Sequence, residues 1–267
     1  MTLSLAATLV GVGFLGAFFS GLLGIGGALV MFPLLLYVPP LVGVGQLDVK
    51  AVVGVTMALV FVAAVSGFLA HRRHHAISAQ LTRIGGVAST AGSFVGALAS
   101  KSVDDTWLLL VFAALATGGA VLSMVPGGIE EPAAGSATLR FPPLRTAVVA
   151  GGVGLAAGAV GAGGGFVLVP LLIVVVGVPV RMAIGSSLGI TAMAATAGFV
   201  GKLITHQIPL VPALTVTLGA IPGAQLGAAA SRRVSARQLK RILAVTIVLV
   251  AVRVWWDVIR ALSRGGS

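Results

Sequence analysis

The sequence predicts an all-α polytopic membrane protein made of two homologous halves, and three observations carry that prediction. First, of 267 residues 58% are hydrophobic and only 9% charged, with mean hydropathy +1.12. A soluble domain carries about 25% charged residues. Second, several apolar runs approach or exceed the ~20 residues that span a bilayer as a helix, and the alternation of an outer-membrane barrel is missing. Third, a glycine-rich stretch recurs. Gly21, Gly24, Gly26, Gly27 and Pro33 stand 137 positions before Gly158, Gly161, Gly163, Gly164 and Pro170.

Further along each half the offset settles at 131. Lys50 then matches Arg181, Gly54 matches Gly185, Thr56 matches Ser187, His75 matches His206, and Gly92 and Gly96 match Gly223 and Gly227. So many recurrences in one register imply internal duplication. The halves cover residues 1–125 and 146–267, joined by a Pro- and Gly-rich linker at 126–145.

The elements follow in order. An apolar run over about 4–37 is broken at Gly24–Gly27, and the piece after the break is too short to cross a ~30 Å core at 1.5 Å per residue. A loop containing Pro39, Pro40, Gly43 and Asp48 follows. Spans at about 50–70, 81–100 and 106–125 complete the half. The basic loop His71-Arg72-Arg73-His74-His75 and the segment Lys101–Asp105 separate them. The second half repeats the plan with a broken run at about 146–177 and spans at about 182–204, 210–230 and 242–260. The apolar amino terminus lacks a basic region before it and reads as the first span rather than a signal peptide.

Each broken run counts either as one span or as two segments, re-entrant or spanning. One span gives parallel repeats; two give inverted repeats, with about 8–10 membrane segments in all. Basic residues arbitrate, because cytoplasmic loops are enriched in Lys and Arg. The inverted scheme puts Arg72, Arg73, Arg83, Arg140, Arg145, Arg181, Arg232, Arg233, Arg237, Lys240 and Arg241 on one side. Lys50, Lys101, Lys202, Arg260 and Arg264 fall on the other, eleven against five. The parallel scheme gives eight against eight, so the sequence favours inverted repeats with both termini outside.

The glycine breaks are the candidate site. Interrupted hydrophobic segments at matching places in two halves point to a transporter's binding site, because freed backbone groups in a membrane must be buried in protein or line a cavity. Helix ends and freed amides attract anions. The candidates are Gly24, Gly26 and Gly27 in the first half, and Gly161, Gly163, Gly164 and Gly165 in the second. The competing reading is close packing between helices, which suffices for scattered glycines such as Gly92 and Gly96. Thr56, Ser186 and Ser187 join the set as repeat-matched hydroxyls within spans. Gln225 joins it as an amide that is costly to bury unbonded.

Other chemistry finds little support. Gly11-x-Gly13-x-x-Gly16 fits the dinucleotide fingerprint only in spelling, since no strand precedes it and the next acid, Asp48, lies in a loop. All six acids lie in loops or near the end of the last span. Proton relays usually use ionisable groups within spans, which leaves His75, His206 or the substrate itself. Lys202 and Arg181 read as snorkelling side chains. No nucleophile–base pair, cofactor motif or metal cluster is visible, so no enzyme and no cofactor is expected. The net charge of +11 sets topology rather than binding nucleic acid. The expected partners are the lipid bilayer, a small anion and a coupling proton or cation, with a homodimer among the open oligomeric states.

Gly21-x-x-Gly24-x-Gly26-Gly27 with Pro33, repeated as Gly161-x-Gly163-Gly164-Gly165 with Pro170-Leu171, resembles the TauE/SafE family of membrane permeases. Arg181-x-Ala183-x-Gly185-Ser186-Ser187 fits its second half as well. The resemblance implies export or uptake of sulfite, thiosulfate or an organosulfonate across the cytoplasmic membrane. The expectation is a secondary transporter working by alternating access between the repeats; a passive anion channel of the same architecture is the alternative. The copies differ, with Val55-Thr56 where the second has Ser186-Ser187 and Ala28 where it has Gly165, so the site is expected to be asymmetric.

Overall fold

The computed structural model describes residues 2–23, 28–71, 78–124, 141–231 and 236–265. Among these residues the chain is helical, without strands. The first half holds α1 (Leu3–Leu23), α2 (Ala28–Leu41), α3 (Val49–His71), α4 (Ala79–Ala99) and α5 (Asp105–Met124). The second holds α6 (Pro143–Val160), α7 (Gly165–Leu171) continuing into a π-helical turn at Leu172–Val176, α8 (Val180–Ile204), α9 (Leu210–Ser231) and α10 (Ala236–Gly265). Length and composition allow 105–122, 143–160, 182–204 and 210–227 to cross a membrane, with shorter apolar helical stretches at 3–19, 28–41, 49–64 and 165–176.

The expected segments match these helices to within a few residues at most ends. One boundary is corrected. Pro39 and Pro40, read as loop, lie inside the last turn of α2. Proline's fixed φ suits a helical turn, but each ring removes the N–H that would bond the carbonyl four residues back, so the pair stands where the helix is ending. The loop proper begins at Val42, whose N–H still reaches the Val38 carbonyl.

Helix pairing agrees with the sequence offsets of 137 and 131. The two most extensive interfaces are α1 with α9 and α4 with α6, so each half's first helix packs on the other half's fourth. Both are backbone-to-backbone. A Cβ at Gly92 or Gly96 of α4 would overlap the carbonyl oxygens of Gly151 and Leu155 on α6. A Cβ at Gly223 or Gly227 of α9 would overlap those of Phe14 and Phe18 on α1. Gly92 and Gly96 lie 131 positions before Gly223 and Gly227, and Phe14 and Phe18 lie 137 before Gly151 and Leu155. The interface therefore repeats residue for residue. Between lipid-immersed helices there is no hydrophobic drive to associate, so small residues that admit close van der Waals contact supply the attraction.

α3 and α8 cross between these pairs, stacking Phe61 on Phe199 with ring centroids 4.6 Å apart. Phe32 of α2 stacks on Phe112 of α5 at 4.2 Å, both fully buried. Leu144, Leu214, Leu218 and Val252 point outward from α6, α9 and α10, an apolar exterior suited to hydrocarbon.

Gly96→Leu and its repeat mate Gly227→Leu should each lower stability by about 1–3 kcal/mol, the usual range for overpacking. Thermal unfolding in detergent checks this. Gly118, where a Cβ meets nothing within 4 Å, is the control inside α5, and its replacement by Ala should raise the midpoint slightly, because alanine favours the helix by about 0.5–1 kcal/mol over glycine.

Candidate functional site at the helix break

The expected break in the second half is present. α6 ends at Val160, and Gly161, Gly163 and Gly164 follow with φ of 69°, 65° and 71°. Left-handed φ is disfavoured for a residue with a Cβ, so three such values in four positions explain why glycine stands there. Gly161 closes α6 through its N–H to the Ala157 carbonyl, which also accepts the Ala162 N–H at 2.9 Å. The Gly164 carbonyl then accepts from Val167 at 3.1 Å and Leu168 at 2.9 Å, starting α7 at Gly165.

The break is packed against the other half. A Cβ on Gly161 would overlap the Val53 carbonyl of α3 and lie 3.3 Å from the Met57 nitrogen. One on Gly163 would overlap Val60, a further turn along α3. Thr56 belongs to this stretch of α3. It is fully buried, and its hydroxyl has no hydrogen-bond partner. A lone buried hydroxyl costs roughly 1–3 kcal/mol; Tyr37, Thr82, Thr90 and Thr191 carry others.

The other candidates fall out differently. Gly24, Gly26 and Gly27 lie outside the described residues, with α1 ending and α2 beginning on either side. Ser186 and Ser187 are buried near the start of α8. Ser186 accepts the backbone N–H of Ser78 at 3.1 Å, while Ser187 donates to the Ile184 carbonyl at 2.9 Å in its own helix. Thr191, one turn on, is buried with an unpartnered hydroxyl like Thr56. Thr196 bonds back to the Ala192 carbonyl. Gln225 is corrected: it is exposed on α9, because the buried face of that helix is taken by Gly219, Gly223 and Gly227 against α1. His75 and the linker to residue 140 lie outside the described residues; His206 is exposed.

Lys202 is the larger correction. It does not snorkel; it is fully buried near the end of α8. Its ammonium donates to Ser100 Oγ at 2.7 Å, to the Ala159 carbonyl at 3.1 Å and to Gln207 Oε1 at 3.3 Å. Snorkelling requires an open path to the interface, and here the ends of α4 and α6 close it. The available signal was the lack of any acid between Lys202 and Asp257, which left the lysine without a counterion nearby in sequence.

The family model described as "Sulfite exporter TauE/SafE" matches residues 9–254. The chain belongs to the TauE/SafE family. A "Probable membrane transporter protein" of Xylella fastidiosa is 31% identical over 261 residues, covering 96% of this chain and 97% of the relative. "Probable membrane transporter protein YunE" of Bacillus subtilis is 23% identical, covering 93% of this chain and 97% of the relative. A Haemophilus influenzae protein, also a "Probable membrane transporter protein", is 28% identical, covering 91% and 96%. No solved structure matches. Membership makes this chain a multi-pass membrane transporter rather than an enzyme.

Gly161→Ala should destabilise by at least about 1–2 kcal/mol, the cost of left-handed φ alone, with the Val53 overlap added. Thr56→Val should raise the unfolding midpoint slightly, because it removes an unpaired buried hydroxyl at constant shape. Both are read by thermal unfolding of purified protein in detergent.

Proposed function

We propose that this TauE/SafE protein is a secondary transporter that moves a small sulfur-containing anion, such as sulfite, thiosulfate or an organosulfonate, by alternating access at a site between two repeats. The repeats are residues 1–125 and 146–267. The family's description as a sulfite exporter supports the substrate class. The observation that carries the site is the break at Gly161–Gly164 packed on the stretch of α3 from Val53 to Val60, the stretch that also holds the unpartnered Thr56 hydroxyl. Freed backbone amides and a neutral hydroxyl can bond an anion without the desolvation penalty of a fixed buried charge.

The reciprocal packing supports movement of one repeat against the other. Five helices in each half, with α1 on α9 and α6 on α4, suit inverted repeats. In such transporters the site lies at the repeat interface, near discontinuous helices. The second-half glycines and Thr56 are the proposed anion ligands, with Ser186 and Ser187 supporting; Gly24, Gly26 and Gly27 are their proposed counterparts, and Gln225 is left out.

Counterflow in proteoliposomes tests the reading. Vesicles preloaded with sulfite, thiosulfate or a sulfonate should accumulate the same labelled anion, whereas an unrelated carboxylate should not drive accumulation. Thr56→Val should weaken apparent affinity by about tenfold, the share of one lost hydrogen bond to an anion, although the variant is no less stable. Single-channel currents without counterflow would replace the carrier by a channel.

A further inference from the structure

The buried Lys202 cluster has no part in the site proposed above, yet it sits directly on the break. The Ala159 carbonyl that accepts a hydrogen bond from its ammonium lies two residues before Gly161, in the last turn of α6. Carbonyls of a last turn lack intrahelical partners, so Lys202 satisfies one of them from a neighbouring helix. Ser100, at the end of α4, accepts from Lys202 and donates to the Ala97 carbonyl at 2.7 Å. Gln207, in the loop after α8, accepts from Lys202 and donates to the Ala97 carbonyl at 3.0 Å and to Thr205 Oγ1 at 2.6 Å. The ends of α4, α6 and α8 thus meet on one nitrogen, two from the second half and one from the first.

Every acceptor in this cluster is neutral. α4 presents only Ser100 and the Ala97 carbonyl. Lys101 next to it is exposed, and its own carbonyl takes the Lys50 ammonium at 3.1 Å. α6 presents the Ala159 carbonyl. The loop after α8 presents Thr205 and Gln207, while His206 is exposed. α3 approaches through Gly54, packed on the Gln207 carbonyl. Asp48 and Asp104, beyond it, are exposed, and Asp105 is half-buried at the start of α5. Among the described residues no carboxylate is within ion-pair distance of Lys202; Arg253 with Asp257 forms the ion pair found there. A buried cation is normally paired with an acid, and intramembrane ionisable groups usually serve a transport step.

Donor arithmetic gives the cluster two states. An ammonium has three N–H groups and meets three acceptors; a neutral amine has two and cannot hold all three. Proton loss, R–NH3+ to R–NH2 plus H+, therefore releases one of the three helix ends, and the Ala159 carbonyl is the contact that bears on the break.

We propose that Lys202 carries a proton coupled to transport: protonated, it latches the α6 side of the break to α4 and α8, and deprotonated it lets that side move. The inference rests on the transporter reading and is tested so that the two fail separately. Thiosulfate and methanesulfonate are the probes, because both stay fully ionised where sulfite would itself take up protons. Purified protein is reconstituted with a pH dye inside the vesicles. In the wild type a pH difference across the membrane should change initial anion uptake several-fold, with proton movement accompanying it. Lys202→Met keeps the length of the stem without a titratable group, and Lys202→Arg keeps the charge permanently. Lys202→Met, never latched, should exchange anion at equal pH while losing the response to a pH difference; Lys202→Arg, latched at every pH, should exchange at least several-fold more slowly than the wild type. Three outcomes overturn the proposal: a wild type that exchanges anion but ignores the pH difference, a Lys202→Met variant that retains the response or, though folded, fails to exchange, or a folded Lys202→Arg variant that exchanges as fast as the wild type. Absence of counterflow in the wild type would instead overturn the transporter reading.

Discussion

Everything in this fold depends on helix backbones coming close enough to touch. In hydrocarbon there is no hydrophobic gain from pairing two apolar helices, so attraction must come from dense contact. Here it comes from glycine facing carbonyl: Gly92 and Gly96 on α6, Gly223 and Gly227 on α1. Larger side chains at these four positions would separate the helix pairs that link the halves. The same close approach lets Gly161 lie on the α3 backbone at Val53. Without it the broken helix would expose freed N–H and C=O groups to lipid, which a membrane does not tolerate.

The break and the packing are two uses of one residue type, distinguished by backbone conformation. The packing glycines sit inside helices and serve by what they lack. Gly161, Gly163 and Gly164 have left-handed φ and serve by what they permit, a turn between two apolar helices. Only the second use leaves polar backbone free to bond something else, which is why the site is assigned there.

Polarity within the spans is sparse and uneven. Most hydroxyls bond to their own helices, as Thr117, Thr196 and Thr217 do, and this is the expected fate of a lone hydroxyl in an apolar helix. Thr56 and Thr191 depart from it by having no partner, as do Thr82 and Thr90 of α4. Lys202 departs in the other direction, with three partners and no counter-charge. One pattern leaves bonding capacity for a ligand; the other ties three helix ends to a single proton-bearing nitrogen.

Much was legible in the chain itself. Composition dictated a membrane protein, because so few charges cannot coat a soluble surface. The offsets of 137 and 131 pointed to a duplication, and the clustered glycines marked the break at 161–164 because glycine takes left-handed φ without strain there. Side-chain surroundings were decided only by tertiary structure. Gln225 reads as buried until α9 turns its glycine face to α1 and leaves the amide outside. Lys202 reads as a snorkelling end-of-span lysine until α4 and α6 close over it. Both depend on which face of a helix meets a neighbour distant in sequence, and near-uniform apolarity erases the periodicity that would reveal it. Local backbone chemistry was therefore written in the sequence, while burial, and with it the place of each polar group, waited for the packing of helices.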